Sequence, residues 1–269
     1  MDKKLKQKAW RLIKILSIIY IVCGIVLYFI QDLLLFHPVA LPQTHKFSFH
    51  QPFKEINLPV QNRNLNIIQF ITGSNRKGIV LYFHGNRRNV ERYAQFVPAF
   101  TKNGYEVWML DYPGFGKSTG KLTEEAMYGD AFLLYQKAIK ETEAVDLVIY
   151  GKSLGTGVAS NLASKNKCKQ LILETPYYSL PSVAKAKFPI YPANYLIKYS
   201  FPNYEFLKRV NAPITILHGT SDEIIPFKQA EKLKKENPQI KLIPITGGKH
   251  NNLAQHKKFQ TILDSLLQQ

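Results

Sequence analysis

Asp146-Leu147-Val148-Ile149-Tyr150-Gly151-Lys152-Ser153-Leu154-Gly155-Thr156-Gly157-Val158-Ala159-Ser160-Asn161-Leu162-Ala163 is the stretch on which the reading of this chain turns. After Asp146 its first residues, Leu147 to Tyr150, are apolar with β-branched Val148 and Ile149 among them, the pattern of a buried strand. Its last eight are small and compatible with a helix. Between them stands G-x-S-x-G, which on a strand-to-helix turn is a nucleophile elbow. The turn is sharp, and Gly151 and Gly155 carry no β-carbon to collide where strand and helix approach. The N–H of Leu154 then falls at the helix start, where free donors and the helix dipole favour negative charge.

The rest of the composition bounds the answer. The chain has 269 residues, enough for one large α/β domain. Two cysteines, Cys23 and Cys168, supply neither a disulfide framework nor a metal pattern. Residues 3–14 carry Lys3, Lys4, Lys6, Lys8, Arg11 and Lys14, and an uncharged run from Ile15 to Ile30 follows. A helix from Leu12 to Ile30 would reach about 28 Å, close to a bilayer core. Gln31–Phe36 offers no small-residue cleavage site, so residues 1–36 read as a basic N-terminus and an uncleaved single transmembrane anchor. The cations should remain cytoplasmic, which places the remainder on the exocytoplasmic side. The net charge is +17, of which residues 37–269 hold +13. These spread lysines read as a solvated basic surface or as attraction to an anionic membrane. No nucleic-acid motif accompanies them.

Residues 37–52 contain Pro38, Pro42 and Pro52 and read as a linker. Beyond it, residues 53–72 suggest two strands about a turn at Gln61–Asn64. Further strands are expected at Ile79–Phe83, Glu106–Leu110, Asp146–Tyr150, Gln170–Leu173, Ile214–His218 and Ile240–Ile245. Helices at about Val90–Lys102 and Thr123–Glu141, others between the later strands, and one at the end complete the pattern. Such alternation predicts a mostly parallel twisted sheet with helices on both faces over residues 53–269. Its chemistry should sit at the carboxyl ends of the strands.

Five groups fall at those ends: His84-Gly85-Asn86, Asp111-Tyr112-Pro113-Gly114, Ser153, His218-Gly219-Thr220-Ser221-Asp222 and Gly247-Gly248-Lys249-His250. A serine nucleophile needs a base and a carboxylate to orient it. Asp222 follows a buried strand, and His250 lies on a glycine-rich loop able to reach back. Glu174, also at a strand end, is the alternative acid. His218 and His84 read as structural, and His37, His45, His50 and His256 as surface or linker residues. Gly116-Lys117-Ser118 and Gly151-Lys152-Ser153 lack the earlier glycine of a P-loop, since Asp111 and Asp146 stand there. No H-E-x-x-H or Cys/His cluster points to a metal, and no cofactor is expected.

From about residue 50 to 265 the chain resembles the α/β-hydrolase superfamily. The carrying segments are His84-Gly85-Asn86 with Asn89, Asp111–Ser118, Gly151–Gly155, Glu174–Tyr178, His218–Asp222 with Pro226, and Gly248–His250. Within the superfamily it looks most like the membrane-anchored Bem46-type hydrolases, the group of α/β-hydrolase domain-containing proteins 13 and 17. The order Ser153, Asp222, His250 is that of its triad. The resemblance implies Ser153 as nucleophile, Asp222 as acid, His250 as base, and an oxyanion hole from the Leu154 and Asn86 N–H groups. Arg87 and Arg88 depart from the small residues usual after His-Gly-Asn. They stand either at a solvated helix start or as a bias toward anionic substrates such as phospholipids.

A short cap segment is expected at about 175–210, rich in tyrosine and phenylalanine. Tyr112, Tyr177 and Tyr178 are the candidate substrate contacts. The expected activity is cleavage of an ester, thioester or lipid acyl bond at a membrane. Two alternatives remain open: a serine aminopeptidase, for which Glu174 or Glu205 would bind the substrate amine, and a non-enzymatic membrane-tethered interaction module.

Overall fold

The computed structural model describes residues 3–73 and 75–269. In chain order its elements are α1 (Lys3–Leu35), β1 (His37–Pro38), β2 (Phe53–Val60), β3 (Arg63–Phe70), β4 (Gly78–Phe83), β5 (Arg87–Arg88), α2 (Val90–Tyr93) and α3 (Pro98–Thr101). Then come β6 (Tyr105–Leu110), α4 (Glu124–Ala138), β7 (Leu147–Lys152), α5 (Gly155–Ala163), β8 (Gln170–Glu174), α6 (Leu180–Lys187), α7 (Ala193–Leu196) and α8 (Asn203–Phe206). β9 (Ile214–Gly219), α9 (Lys228–Glu236), β10 (Lys241–Ile245) and α10 (Lys257–Gln268) close the chain.

Eight strands form one sheet in the order β10-β9-β8-β7-β4-β6-β3-β2. β2 and β3 pair antiparallel, as do β3 and β6; the other neighbours run parallel. The near-continuous apolar runs of β4 and β7 are those of strands covered on both faces. Alternation along β4 divides the core. Ile79, Leu81 and Phe83 join a cluster with Leu134 of α4, Val158 of α5 and Leu233 of α9. Val80 and Tyr82 join the opposite cluster with Phe100 of α3 and Leu263 of α10.

Two expectations need correction. The expected helix over Val90–Lys102 is divided into α2, a 3-10 turn at Ala94–Phe96, and α3. Pro98 has no N–H to continue the first segment and instead begins the second. Residues 37–52 are not a free linker. β1 pairs parallel with β5, and the Val39 and Leu41 N–H groups donate to Arg88 O (3.1 Å) and Gly116 O (2.7 Å). An extended segment with unpaired backbone groups satisfies them on the loops above the sheet.

α1 is long and apolar enough to cross a membrane and is largely exposed. Gly24 and Gln31 are the buried exceptions, Gln31 donating to Tyr28 O (2.8 Å) and Leu196 O (3.1 Å) and accepting from Lys198 N (2.8 Å).

Arg63 of β3 binds Asp130 of α4 with both of its terminal nitrogens, and the Asp130 side chain is fully buried. Burial raises the Asp130 pKa against the lowering effect of Arg63. Arg63→Met should therefore lower the melting temperature by roughly 6–12 °C, the equivalent of about 3 kcal/mol. The deficit should grow as pH rises, because the isolated carboxyl ionises at increasing cost. Thermal melts across the neutral range check this.

Candidate active site

The site is assembled at the carboxyl ends of β4, β7, β8, β9 and β10. Ser153 sits between β7 and α5 with φ of 52°, a left-handed conformation that a side chain rarely adopts. The elbow that imposes it depends on close approach. A β-carbon on Gly155 would lie 2.0 Å from Phe83 O, and one on Gly151 would lie 2.7 Å from Gly155 O. Only glycine fits either position. The strain is held by hydrogen bonds: Ser153 N donates to Glu174 O at 2.9 Å, and Thr156 N to Ser153 O at 2.9 Å.

His250, on the loop after β10, brings Nε2 to 2.9 Å from Ser153 Oγ and Nδ1 to 2.8 Å from Asp222 Oδ2. Asp222 Oδ1 accepts from the N–H groups of Ile224 (2.9 Å) and Ile225 (2.8 Å). Burial of Asp222 would raise its pKa. Hydrogen bonds from His218, His250 and the Ile225 N–H outweigh it and hold the carboxyl far below the usual range. An imidazole poised between a hydroxyl and an ionised carboxylate can take the hydroxyl proton and be stabilised once charged. His218 stays structural: its Nε2 lies 2.8 Å from Ile225 O and 3.4 Å from Asp222 Oδ2. Glu174 is not aimed at His250. It is buried in an ion pair with Lys152 and accepts from the Tyr150 hydroxyl.

Beside Ser153 lies a cavity of about 590 Å³. Asn86 and Leu154 both line it, and among the described residues neither N–H has a protein acceptor. The loop carrying Asn86 is clamped from three sides. Tyr112 OH donates to His84 O (2.9 Å), and His84 stacks on Tyr93 at 4.9 Å between ring centres. Asn86 Nδ2 donates to Leu35 O (2.6 Å) while Asn86 O accepts from His37 N (3.0 Å).

The three tyrosines expected to touch substrate divide. Tyr177 lines the cavity, with its hydroxyl held by Leu154 O at 3.1 Å. Tyr112 and Tyr178 do not line it. Tyr112 is fully buried beneath the His84 loop, and Tyr178 stacks on Tyr204 at 4.4 Å and donates to Glu236. Both are polar-tipped rings whose hydroxyls found scaffold acceptors. The sequence reading also missed the wall supplied by Leu34, Leu35, Phe36 and His37. Gln31, a lone amide closing an apolar run, was the available sign that the helix end is docked. Arg87 lines the cavity and Arg88 does not; Arg92, Lys152 and Lys187 add to the cationic lining, which among the described residues contains no aspartate or glutamate.

A profile of the family described as serine aminopeptidase, S33 (Hydrolase_4), matches residues 74–206. Human protein ABHD12B is 31% identical over 206 residues, 65% of this chain and 56% of that protein. Alpha/beta hydrolase domain-containing protein 17C of Xenopus tropicalis is 28% identical over 185 residues, 67% of this chain and 58% of that protein. The chain thus spans a little over half the length of the curated relatives it matches. Among solved structures, a Pyrococcus furiosus esterase superposes with a TM-score of 0.67 at 16% identity, covering 87% of this chain and 96% of its own. A soluble variant of Saccharomyces cerevisiae monoglyceride lipase gives 0.60 at 19% identity, covering 85% and 97%. These structures share the fold.

The depressed Asp222 pKa fixes the sign of a pH dependence. A carboxyl whose folded value lies below its unfolded value of about 3.9 contributes stability above that value and loses it as pH falls toward the folded one. Asp222→Asn should melt below the wild type at neutral pH, and the gap should narrow only as pH falls below about 4 toward the lowered folded value. Paired calorimetric scans across that range measure it.

Proposed function

Since the chain belongs to the α/β-hydrolase superfamily, we propose that it is a membrane-anchored serine hydrolase that cleaves ester or thioester acyl bonds. The observation that carries this reading is the hydrogen-bonded chain Ser153 Oγ–His250 Nε2 and His250 Nδ1–Asp222 Oδ2. In the proposed reaction His250 takes the Ser153 proton as Oγ bonds to the acyl carbon. The N–H groups of Leu154 and Asn86 stabilise the resulting oxyanion. Collapse expels the alcohol or thiol, which receives the proton from His250. Water, deprotonated by the same imidazole, then releases the acid and restores the serine. Asp222 orients the ring and stabilises its charged form.

α1 is the proposed single-pass anchor, with the six N-terminal cations cytoplasmic and the hydrolase domain on the exocytoplasmic side. The aminopeptidase alternative needs a carboxylate for the substrate amine. The cavity lining has none, and Glu174 is already neutralised by Lys152. Arg87, Arg92 and Lys187, which have no carboxylate partner among the described residues, favour an anionic acyl substrate instead.

A fluorophosphonate probe should label the full chain in detergent, and Ser153→Ala should abolish labelling. A folded wild type that does not label would favour the interaction-module reading. Arg87→Ala/Arg92→Ala should raise KM about tenfold for an anionic acyl ester and change it less than about twofold for a neutral one. Equal effects on both esters would remove the charge argument.

A further inference from the structure

The cap does not sit over the hydrolase domain alone. Between α6 and Lys198 runs Phe188-Pro189-Ile190-Tyr191-Pro192-Ala193-Asn194-Tyr195-Leu196-Ile197, and it is packed along the side of α1. The Tyr191 ring stacks on Tyr20 at 4.7 Å and 8° between planes, and it lies against Gly24, where a β-carbon would come within 3.3 Å. Tyr20 OH donates to Ile190 O at 2.8 Å, and Tyr191 OH to Tyr20 O at 3.3 Å. Tyr20 stands eleven residues before the buried Gln31, so this contact lies about 16 Å along the helix axis from the point where α1 meets the domain. A helix read as crossing the bilayer carries that contact into the hydrocarbon.

We propose that residues 188–196 form a second membrane-inserting element beside α1, placing the mouth of the site at the lipid surface so that an acyl chain enters from the leaflet. The proposal rests on the reading of α1 as an anchor. Three further observations support it. The segment exposes large apolar side chains without a protein partner to cover them: Phe188 is 48% exposed, Ile190 70% and Tyr195 87%. Such large exposed apolar side chains, clustered within eight residues, fit lipid rather than water. Lys185 and Lys187 precede it and Lys198 follows, the last paired with Asp32 at 3.7 Å, so charge brackets the apolar stretch at the level expected of an interface.

Most of the segment's backbone is also satisfied internally, as a medium without hydrogen bonds requires; among the described residues the N–H groups of Ile190 and Asn194 are the ones without an acceptor. Pro189 and Pro192 have no N–H to satisfy. The N–H groups of Phe188, Tyr191, Ala193, Tyr195, Leu196 and Ile197 donate to Ala184, Phe188, Tyr191, Pro192, Pro192 and Ala193 carbonyls, at 2.7–3.3 Å. The route inward is short. Leu34 and Leu35 at the end of α1, with Leu180, Val183 and Lys187 of α6, line the cavity that holds Ser153.

The test uses the full chain in vesicles of phosphatidylcholine and phosphatidylglycerol, carrying Cys23→Ser. Cys168→Ser is added as well, because that thiol is partly exposed and would compete for label. A fluorophore is placed singly by Ile190→Cys, Tyr195→Cys, Ile25→Cys in α1, or Val145→Cys before the amino end of β7. Doxyl groups on lipid acyl chains should quench positions 190 and 195 as strongly as 25, and leave 145 unaffected. Quenching at 25 without quenching at 190 and 195 overturns the proposal and leaves the anchor standing. No quenching at 25 overturns both. A kinetic arm reads the consequence. Ile190→Asp/Tyr195→Asp should reduce hydrolysis of a vesicle-embedded long-chain acyl ester about tenfold, with a soluble short-chain ester unchanged. Unchanged hydrolysis of both substrates, or equal loss on both, overturns the claim of entry from the leaflet.

Discussion

No side chain fits between the first turn of α5 and the end of β4. The Gly155 backbone sits so close to Phe83 O that even a methyl group would overlap it. From that contact the geometry of the site follows. The approach forces the turn at Ser153 into a left-handed conformation and lifts its hydroxyl above the sheet edge. It also brings the two loops carrying Asn86 and Leu154 to line one cavity. The parallel order of the sheet then sets β9 and β10, with Asp222 and His250, on the same side of β4. Each later residue needs only a short loop to reach the serine.

The positions of Ser153 and Asp222 were legible because each follows a buried apolar strand and stands in or beside a glycine-bearing turn, and that of His250 because it stands on a glycine-bearing loop after the edge strand β10. A doubly covered strand leaves few places for a polar group, so one at its carboxyl end is conspicuous. Tyr112 and Tyr178 were misplaced for a related reason. A tyrosine serves equally as a cavity wall or as a beam with a hydrogen-bonding tip. Only tertiary packing decides, here in favour of His84 O and Glu236. Local propensity likewise could not show that Pro98 begins a new helix instead of ending a long one. The docking of residues 37–41 was invisible because backbone N–H and C=O groups carry no sequence signature.

Charge is arranged in two different ways around the cavity. Lys152 and Glu174 are buried together, with the Tyr150 hydroxyl on the same carboxylate. Each group is satisfied, and replacing one alone would strand the other in a low-dielectric setting. Arg87, Arg92 and Lys187 stand nearer the mouth without a carboxylate in the lining. Their charge remains available to a ligand. The tyrosine hydroxyls of the interior are kept neutral by burial, as for Tyr82, Tyr112, Tyr150 and Tyr177, and so add no competing negative field.

The bond from Asn86 to Leu35 O makes the boundary between helix and domain a shared one. In descent, an N-terminal helix joined by a slack tether can be lost, lengthened or exchanged for another without consequence to the domain it carries. Here the exchange would have to return an acceptor for Asn86, a strand partner for Arg87 and Arg88, and an amide in place of Gln31. Recombination at the junction of helix and domain would therefore have to replace all of these contacts at once.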